Sequence, residues 1–597
     1  MSFWPTNALV KRAHALSILL LAIAGCMGGN APPGDAGMGD GGGRDDAGPV
    51  DVGTDAGPSC TTLLTHAQSD IPVWPATALL VDDPTTETGQ RLHFDATAYP
   101  TLAMRLGGYL GTLTDDLGTI DGFAINGEAF FSYARHFDEA LLAARPLDAS
   151  EGAGFVIVSP GPARIEPALI ETTDDGATLL LAPLHPLPEH ARVAAFVTRA
   201  LTDAARGCLE PSAELSASLA APSADEQAAI DALVSLHVIT APSELVGFVA
   251  YPTQSITPDS VAVAADVASR SFDWMAPPTC VDEARWRHCE GQFVAGDYRD
   301  PTDHVFRRTR GAAAAPTSRY VLPVSVWLPL HATGPVPTLV YGHGLGGGRD
   351  QGAVLAGFAA PMGFATVAID AQEHGQHPTV PPPPAPARST LDTVFAFFGI
   401  HLGSPRALEA ARLRDNFRAS TWDKLQLVSL LRAHPDVDGD GNADLAVDRL
   451  GYLGVSLGGI MGPELLALDG DLTAGVLVVP GGRVVTIISD SATFGPLVTL
   501  ARPRGSTAGD VRRFFPILQT IIDRGDAASY GGHVTRARLP GAGAPQSTLL
   551  GVVLDDDTVP NIANYTLARA FDVPVVQRAL RPVPGLVAID GPVIGNV

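Results

Sequence analysis

Leu450-Gly451-Tyr452-Leu453-Gly454-Val455-Ser456-Leu457-Gly458-Gly459 is the stretch whose reading decides the fold. Residues 450–455 make a short apolar run of the kind that forms a buried strand. The small residues that follow, Gly459 and Gly462 among them, suit a closely packed helix. A serine caught between the two in Gly-x-Ser-x-Gly sits on a strained turn, and the flanking glycines let the helix and neighbouring strands come close. The bare five-residue pattern also turns up by chance; strand before and helix after give it meaning. Ser456 is therefore the candidate nucleophile.

Outward from this stretch, short apolar runs alternate with helical segments at 320–328, 338–341, 364–369, 475–479 and 548–554. Runs of that length suit strands buried on both faces, and helices between them imply a doubly wound, mostly parallel sheet. Two insertions break the alternation, at about 371–410 and 483–545. The first contains Pro381-Pro382-Pro383-Pro384 and reads as a surface loop; the second carries apolar helical stretches, such as 514–522, that suit a cap over a substrate cleft.

Two further motifs end strands of this sheet. Gly342-His343-Gly344-Leu345-Gly346-Gly347-Gly348 follows the run 338–341. A glycine-rich loop there lets backbone N–H groups face a developing oxyanion, and His343, set inside the turn, reads as structural. Leu554-Asp555-Asp556-Asp557-Thr558-Val559-Pro560 closes the run 548–554 in an acidic turn.

Together these motifs resemble the α/β-hydrolase lipase and esterase lipoproteins of bacteria. The N-terminal half is similar to the region that precedes the hydrolase in bacterial virulence-factor-type lipases, through Asp83-Pro84-Thr85-Thr86-Glu87-Thr88-Gly89-Gln90-Arg91-Leu92, Ile120-Asp121-Gly122-Phe123 and Thr253-Gln254-Ser255. The likeness spans about 70–590. It implies backbone donors at Leu345 and Leu457 for the oxyanion. It implies Asp556 as the triad acid, with Asp555 and Asp557 as near alternatives, and a carboxylic ester, lipid or small molecule, as substrate, with no required cofactor. An amide substrate fits the same motifs.

The resemblance also implies a histidine after a final strand, and the last histidine here is His533, before the acid. His374 and His377 follow the run 364–369, where such hydrolases carry a structural His-Gly, so neither stands where the fold delivers a base. The expectation is a hydrolase sheet whose final strand and histidine loop are missing from this sequence; the rival is a catalytically inactive hydrolase fold used for binding at the surface.

The rest of the chain supplies context. A formal charge of −25 over 597 residues, with no basic block, argues against nucleic acid as partner. Lys11 and Arg12, the apolar run 16–23 and Ile23-Ala24-Gly25-Cys26 look like a bacterial lipoprotein signal, 1–26, with Cys26 as the lipidated residue. Residues 27–59 hold eleven glycines, six aspartates and no aromatic, the composition of a disordered tether of roughly 30 Å span. The implied partner is a membrane reached through a lipid anchor. Met27, where aspartate would mark inner-membrane retention, favours the outer membrane or cell surface. A β-rich, sandwich-like domain is expected at 60–221, from the runs 154–159, 163–172, 177–182 and 192–199 and the turn Asp174-Asp175-Gly176. A helical, connecting region follows at 222–318, opened by a Ser223–Glu226 capping box, and the hydrolase occupies 319–597.

Four further cysteines in an exported chain suggest two disulfides: Cys280–Cys289 across a short loop and, by elimination, Cys60–Cys208. Asp436-Val437-Asp438-Gly439-Asp440-Gly441-Asn442-Ala443-Asp444 places oxygen ligands at alternate positions, with Asp436, Asp438, Asp440, Asn442 and Asp444 as the set for a structural Ca²⁺. Val447 at the twelfth position lacks the bidentate carboxylate of an EF-hand, so the loop is closer to extracellular calcium repeats.

Overall fold

The computed structural model describes residues 60–591, apart from 107, 136–145, 148–150, 174–176, 205–207, 383–387, 402–403, 405, 504 and 577–580. The lipoprotein signal, Cys26, the tether and the turn at 174–176 lie outside the described residues. Thr61–Val597 forms one compact unit.

The two larger sheets of its N-terminal part are antiparallel. Val73–Trp74, Ala129–Ser132, Thr178–Pro183, Ala168–Thr172 and Pro146–Leu147 make one; Leu245–Pro252, Arg192–Thr198, Ala153–Ser159 and Arg164–Glu166 make the other. The sheets pack through Ala153–Ser159 against Ala168–Thr172 and Thr178–Pro183. Phe131, Phe155, Ile170, Leu181 and Phe196 are completely buried there. Leu245–Pro252 comes from the stretch read as a helical connection. It is buried along most of its length, so its apolar residues do not alternate, and it gave no strand signal distinct from a helix.

The C-terminal part is an eight-stranded sheet. In chain order the strands are β1 (Thr279–Asp282), β2 (Trp286–Asp297), β3 (Ser318–Pro329), β4 (Val336–Gly342), β5 (Ala365–Ala368), β6 (Leu445–Val455), β7 (Leu472–Val478) and β8 (Ser547–Gly551). Their spatial order is β1-β2-β3-β5-β4-β6-β7-β8. β5, β4, β6, β7 and β8 run parallel, and β1, β2 and β3 pair antiparallel at one edge. A crossed-over β5-β4 pair beside an antiparallel edge strand, with the serine leaving the central β6, is the α/β-hydrolase arrangement. The boundary drawn at 319 cuts this sheet, because β1 and β2 precede it. Their polar, one-face-buried pattern hid them among connecting sequence.

The helices that matter for the site are α1 (Gly352–Ala359), α2 (Thr390–Phe398), α3 (Ala410–Ala433), α4 (Leu457–Leu468), α5 (Val484–Asp490), α6 (Gly495–Ala501), α7 (Ala508–Ile522) and α8 (Asn561–Phe571). α2 lies in the insertion read as a surface loop. It forms because Ser389 and Asp392 make a reciprocal capping box. The start of that insertion is also interior: Gln372, Glu373, His374 and His377 are buried, while Pro381 and Pro382 are exposed. After α8, Val575–Val576 and Ala588–Ile589 pair with each other in a separate small sheet, so among the described residues the main sheet ends on β8. Among the described residues, no single helix is long and apolar enough to cross a membrane.

Candidate active site

Ser456 stands at the C-terminal end of β6, where the chain turns straight into α4. Its backbone is at φ 53°, ψ −113°, a region costing a non-glycine residue about 1–3 kcal/mol. The surroundings hold it there. Ser456 N–H donates to the Val478 carbonyl of β7 (2.9 Å), and Gly458 N–H donates to the His343 carbonyl (3.0 Å). A Cβ on Gly458 would overlap the Gly342 carbonyl, and one on Gly454 would overlap the Gly458 carbonyl. The glycines of the motif are thus required by backbone-to-backbone contact. Tyr452, which the motif reading passed over, adds a lock: its hydroxyl donates to the Gly458 carbonyl (2.6 Å) from a buried position. Only its place two residues before Gly454 could have drawn notice.

The glycine-rich loop lies against the serine. A Cβ on Gly344 would be 3.6 Å from Ser456 Cβ. Leu345 follows in this loop and Leu457 is the first residue of α4. Among the described residues neither of these backbone N–H groups donates a hydrogen bond. A first-turn helical N–H is unpaired by construction and carries the positive end of the helix dipole. These two N–H groups are available to an oxyanion. His343 is occupied otherwise: Nδ1 faces the Gly344 carbonyl (2.9 Å) and Nε2 accepts from Ala371 N–H (2.9 Å). Accepting at Nε2 requires the neutral ring. Burial, with His374 beside it, pushes its pKa down to about 3.

The acidic turn after β8 is built around Asp556. Its Oδ1 accepts from Thr558 N–H (2.8 Å) and Val559 N–H (3.0 Å). Asp555 instead makes an exposed ion pair with Arg581 (2.7 Å), and Asp557 contributes its carbonyl to Thr493 N–H and Ser491 Oγ. Asn561 shapes the turn by accepting from Asp555 N–H (2.9 Å) and donating to the Val553 carbonyl (2.6 Å). Of the three aspartates, Asp556 alone has its carboxylate ordered by the turn, with one oxygen left over.

Among the described residues no histidine hydrogen-bonds Ser456 or Asp556. His377 faces Asp423 (3.3 Å) and Thr379 (2.8 Å), and His533 faces the Ala537 carbonyl (2.7 Å). His374 is buried against His343 and Phe397, its Nδ1 faces the Gln372 carbonyl (2.8 Å), and its Nε2 has no partner.

The other predicted positions fall elsewhere. The carboxylates of Asp436, Asp438 and Asp444 converge, with one oxygen from each within 4.8 Å of the others. Asp440 turns back onto Asn442 (N–H to Oδ1, 2.7 Å), and Arg287 of β2 pairs with Asp438. Burial and the neighbouring Asp438 and Asp436 raise the Asp444 pKa. An all-oxygen, mutually repelling trio fits a hard cation, with Arg287 covering part of its charge. This loop precedes β6 and Ser456 follows it, so the strand's length, roughly 35 Å at 3.3 Å per residue, separates the two. Cys280 and Cys289 are joined by a disulfide across the β1–β2 pair. Cys60 and Cys208 are both disulfide-bonded.

The N-terminal motifs meet on the second insertion. Asp121 accepts from Ser255 N–H (3.0 Å) and Ser255 Oγ (2.6 Å), and its backbone carbonyl accepts from Thr88 Oγ1 (2.5 Å). Arg524, just beyond α7, donates to Asp121 (2.6 Å) and to the Ser255 carbonyl (2.8 Å). The three stretches are far apart in sequence and form one buried cluster.

No protein-family model matches the chain. No curated protein matches it. Solved structures similar to it include an acetyl xylan esterase from a Paenibacillus species, at 17% identity over 52% of this chain and 83% of that one, with a TM-score of 0.34. Another is acetyl xylan esterase 1 from a Thermoanaerobacterium species, at 15% identity over 56% and 88%, with a TM-score of 0.32. A third is a glucuronoyl esterase from Teredinibacter turnerae, at 13% identity over 52% and 70%, with a TM-score of 0.27.

Proposed function

We propose that this chain is a serine hydrolase of carboxylic esters that works through an acyl-enzyme. The observation that carries the reading is Ser456, held at φ 53° on the β6–α4 turn next to the unpaired N–H groups of Leu345 and Leu457. In the reaction, Ser456 Oγ bonds to the ester carbonyl carbon, and the carbonyl oxygen takes the negative charge between the two amides. The carbon–alkoxy bond then breaks and the alcohol leaves with a proton. Water next attacks the acyl-serine, releasing the acid and restoring the hydroxyl. The serine proton passes to the departing alkoxide, and Asp556 would orient an imidazole serving that transfer.

A second reading is favoured by one observation: no histidine bonds Ser456 or Asp556 among the described residues. On that reading the fold binds esters without turning them over. Labelling with a fluorophosphonate probe separates the two. With the imidazole missing, this sequence is expected to label slowly and to keep only the residual rate of a broken triad, about 10³–10⁴ over water. Ser456→Ala removes the labelling. Wild-type labelling no faster than that of Ser456→Ala refutes the hydrolase reading. Fast turnover would instead make His374, with its unpartnered Nε2, the first residue to substitute.

We further propose lipidation at Cys26, tethering at the outer membrane or cell surface, and a structural Ca²⁺ in the 436–444 loop. The small residues before Cys26 and the tether composition support the first two. Mass spectrometry of the mature N-terminus tests them: a chain beginning at any other residue refutes the anchor.

A further inference from the structure

An apolar cleft opens between the two insertions, with about 120 Å³ of space for the centre of a water-sized sphere. Phe395 and Phe398 of α2 form one wall, Phe494 and Leu497 at α6 a second, and Phe514 and Leu518 of α7 the floor. Phe398 and Phe494 face each other with ring centroids 5.9 Å apart. Arg502, exposed at the rim, is the only charged residue in the lining among the described residues. Leu500, also on the rim, is 71% exposed.

The walls of this cleft begin at the two loops of the candidate site. At the start of α2, the Thr390 methyl lies 2.6 Å from where a Cβ on Gly346 would stand, so this wall rises from the oxyanion loop. The α5–α6 junction is tied to the acid loop. Ser491 Oγ donates to the Asp557 carbonyl (2.8 Å), Thr493 N–H donates to the same carbonyl (2.9 Å), and the Thr493 and Thr558 hydroxyls are 3.0 Å apart. An occupant of the cleft is therefore framed by elements rooted on either side of Ser456.

We propose that this cleft binds the unbranched aliphatic chain of the ester, so that the preferred substrates are medium- to long-chain acyl esters. The proposal rests on the hydrolase reading of the same site. Aromatic and leucine walls without a hydrogen-bonding group disfavour a sugar or a peptide, because their polar groups would be buried unpaired. A methylene chain loses nothing there, and each CH₂ transferred from water adds about 0.8 kcal/mol, or about fourfold in affinity.

The test is displacement of a dansyl-labelled undecanoate from the full-length chain by straight-chain carboxylates from hexanoate to palmitate. Affinity should rise about fourfold per methylene and then level off as the cleft fills. Leu497→Trp, which fills the cleft, and Leu500→Asp, on an exposed position that leaves the core intact, should each weaken palmitate at least tenfold. Ser456→Ala should leave binding unchanged. Absence of chain-length dependence, or equal binding by all four proteins, overturns the proposal. So does a dimer that dissociates in Leu500→Asp while wild type displaces no probe, since a second copy would then be the occupant. Labelling of Ser456 without chain binding sinks this proposal alone, and chain binding without labelling sinks the hydrolase reading alone.

Discussion

Removing the Arg524 guanidinium should cost this protein a large share of its stability, and the cost should be recovered in part by removing Asp121 as well. Arg524 is 10% exposed and Asp121 2%, and they meet at 2.6 Å with Ser255 between them. In Arg524→Ala the Asp121 carboxylate keeps the two Ser255 donors and loses the cation paired with it. A buried ion pair broken on one side costs about 3–5 kcal/mol, most of it from the charge left behind. Asp121→Asn with Arg524→Ala removes both charges, so its cost should fall short of the sum of the singles by about 1–3 kcal/mol. Denaturant unfolding is the assay of choice. In a chain this long, about 2.1 cal/mol/K of unfolding entropy per residue turns 4 kcal/mol into only about 3–4 °C of Tm. Costs that add within about 0.5 kcal/mol would refute the reasoning, because Asp121 and Arg524 would then not form a coupled pair joining the N-terminal motifs to the insertion.

Three further outcomes are expected. Gly458→Ala should destabilise by more than the usual 1–3 kcal/mol of core overpacking, because the methyl meets the Gly342 backbone rather than a side chain; a Tm within about 1 °C of wild type would refute it. Burial raises the Glu464 and Asp523 carboxyls to about 7, so their contribution is complete below pH 4 and lost as pH rises through 7. Stability should therefore fall as pH rises from about 4.5 to 7 by up to about 1.4 kcal/mol per pH unit per group and level off above that, and Glu464→Gln with Asp523→Asn should remove this contribution. The buried His343 and His374 act the opposite way as pH falls below about 6.5 and so offset part of that slope; the difference between wild type and the double variant isolates the two carboxyls. Millimolar Ca²⁺ should raise Tm relative to EGTA through the 436–444 loop, and Asp436→Asn should abolish the shift; identical melts leave only an acidic turn.

What could be read in advance was what spacing encodes. Gly454, Ser456 and Gly458 announce a strand–turn–helix because only glycine tolerates backbone at van der Waals distance, and Gly342 to Gly348 announce the loop beside it for the same reason. That the central strands are parallel followed from their unbroken apolar runs; their spatial order did not. Leu245–Pro252, β1 and β2 were not legible, since the first is apolar on both faces and the others belong to a polar antiparallel edge. Nor could the sequence show that Thr88, Asp121, Ser255 and Arg524 share one cluster, because the ion pair that joins them spans 403 positions. The candidate acid was legible through the family spacing as Asp556, with Asp555 and Asp557 as near alternatives, and the hydrogen bonds of its own turn set the Asp556 carboxylate apart from theirs.

The pinning of the second insertion has a mechanical consequence. Beyond α7, Arg524 is fastened to the N-terminal motifs; before α6, Ser491 and Thr493 are fastened to the acid loop. A segment clamped at both ends cannot swing as a rigid body, so any displacement must be taken up between the clamps. Of the two helices there, α7 has ten buried residues and α6 has none. The compliant span is therefore α6, which carries the rim leucine of the apolar cleft, and local opening of that one short helix costs little of the global folding energy. The rim of the proposed cleft and its buried floor thus lie on helices of different compliance.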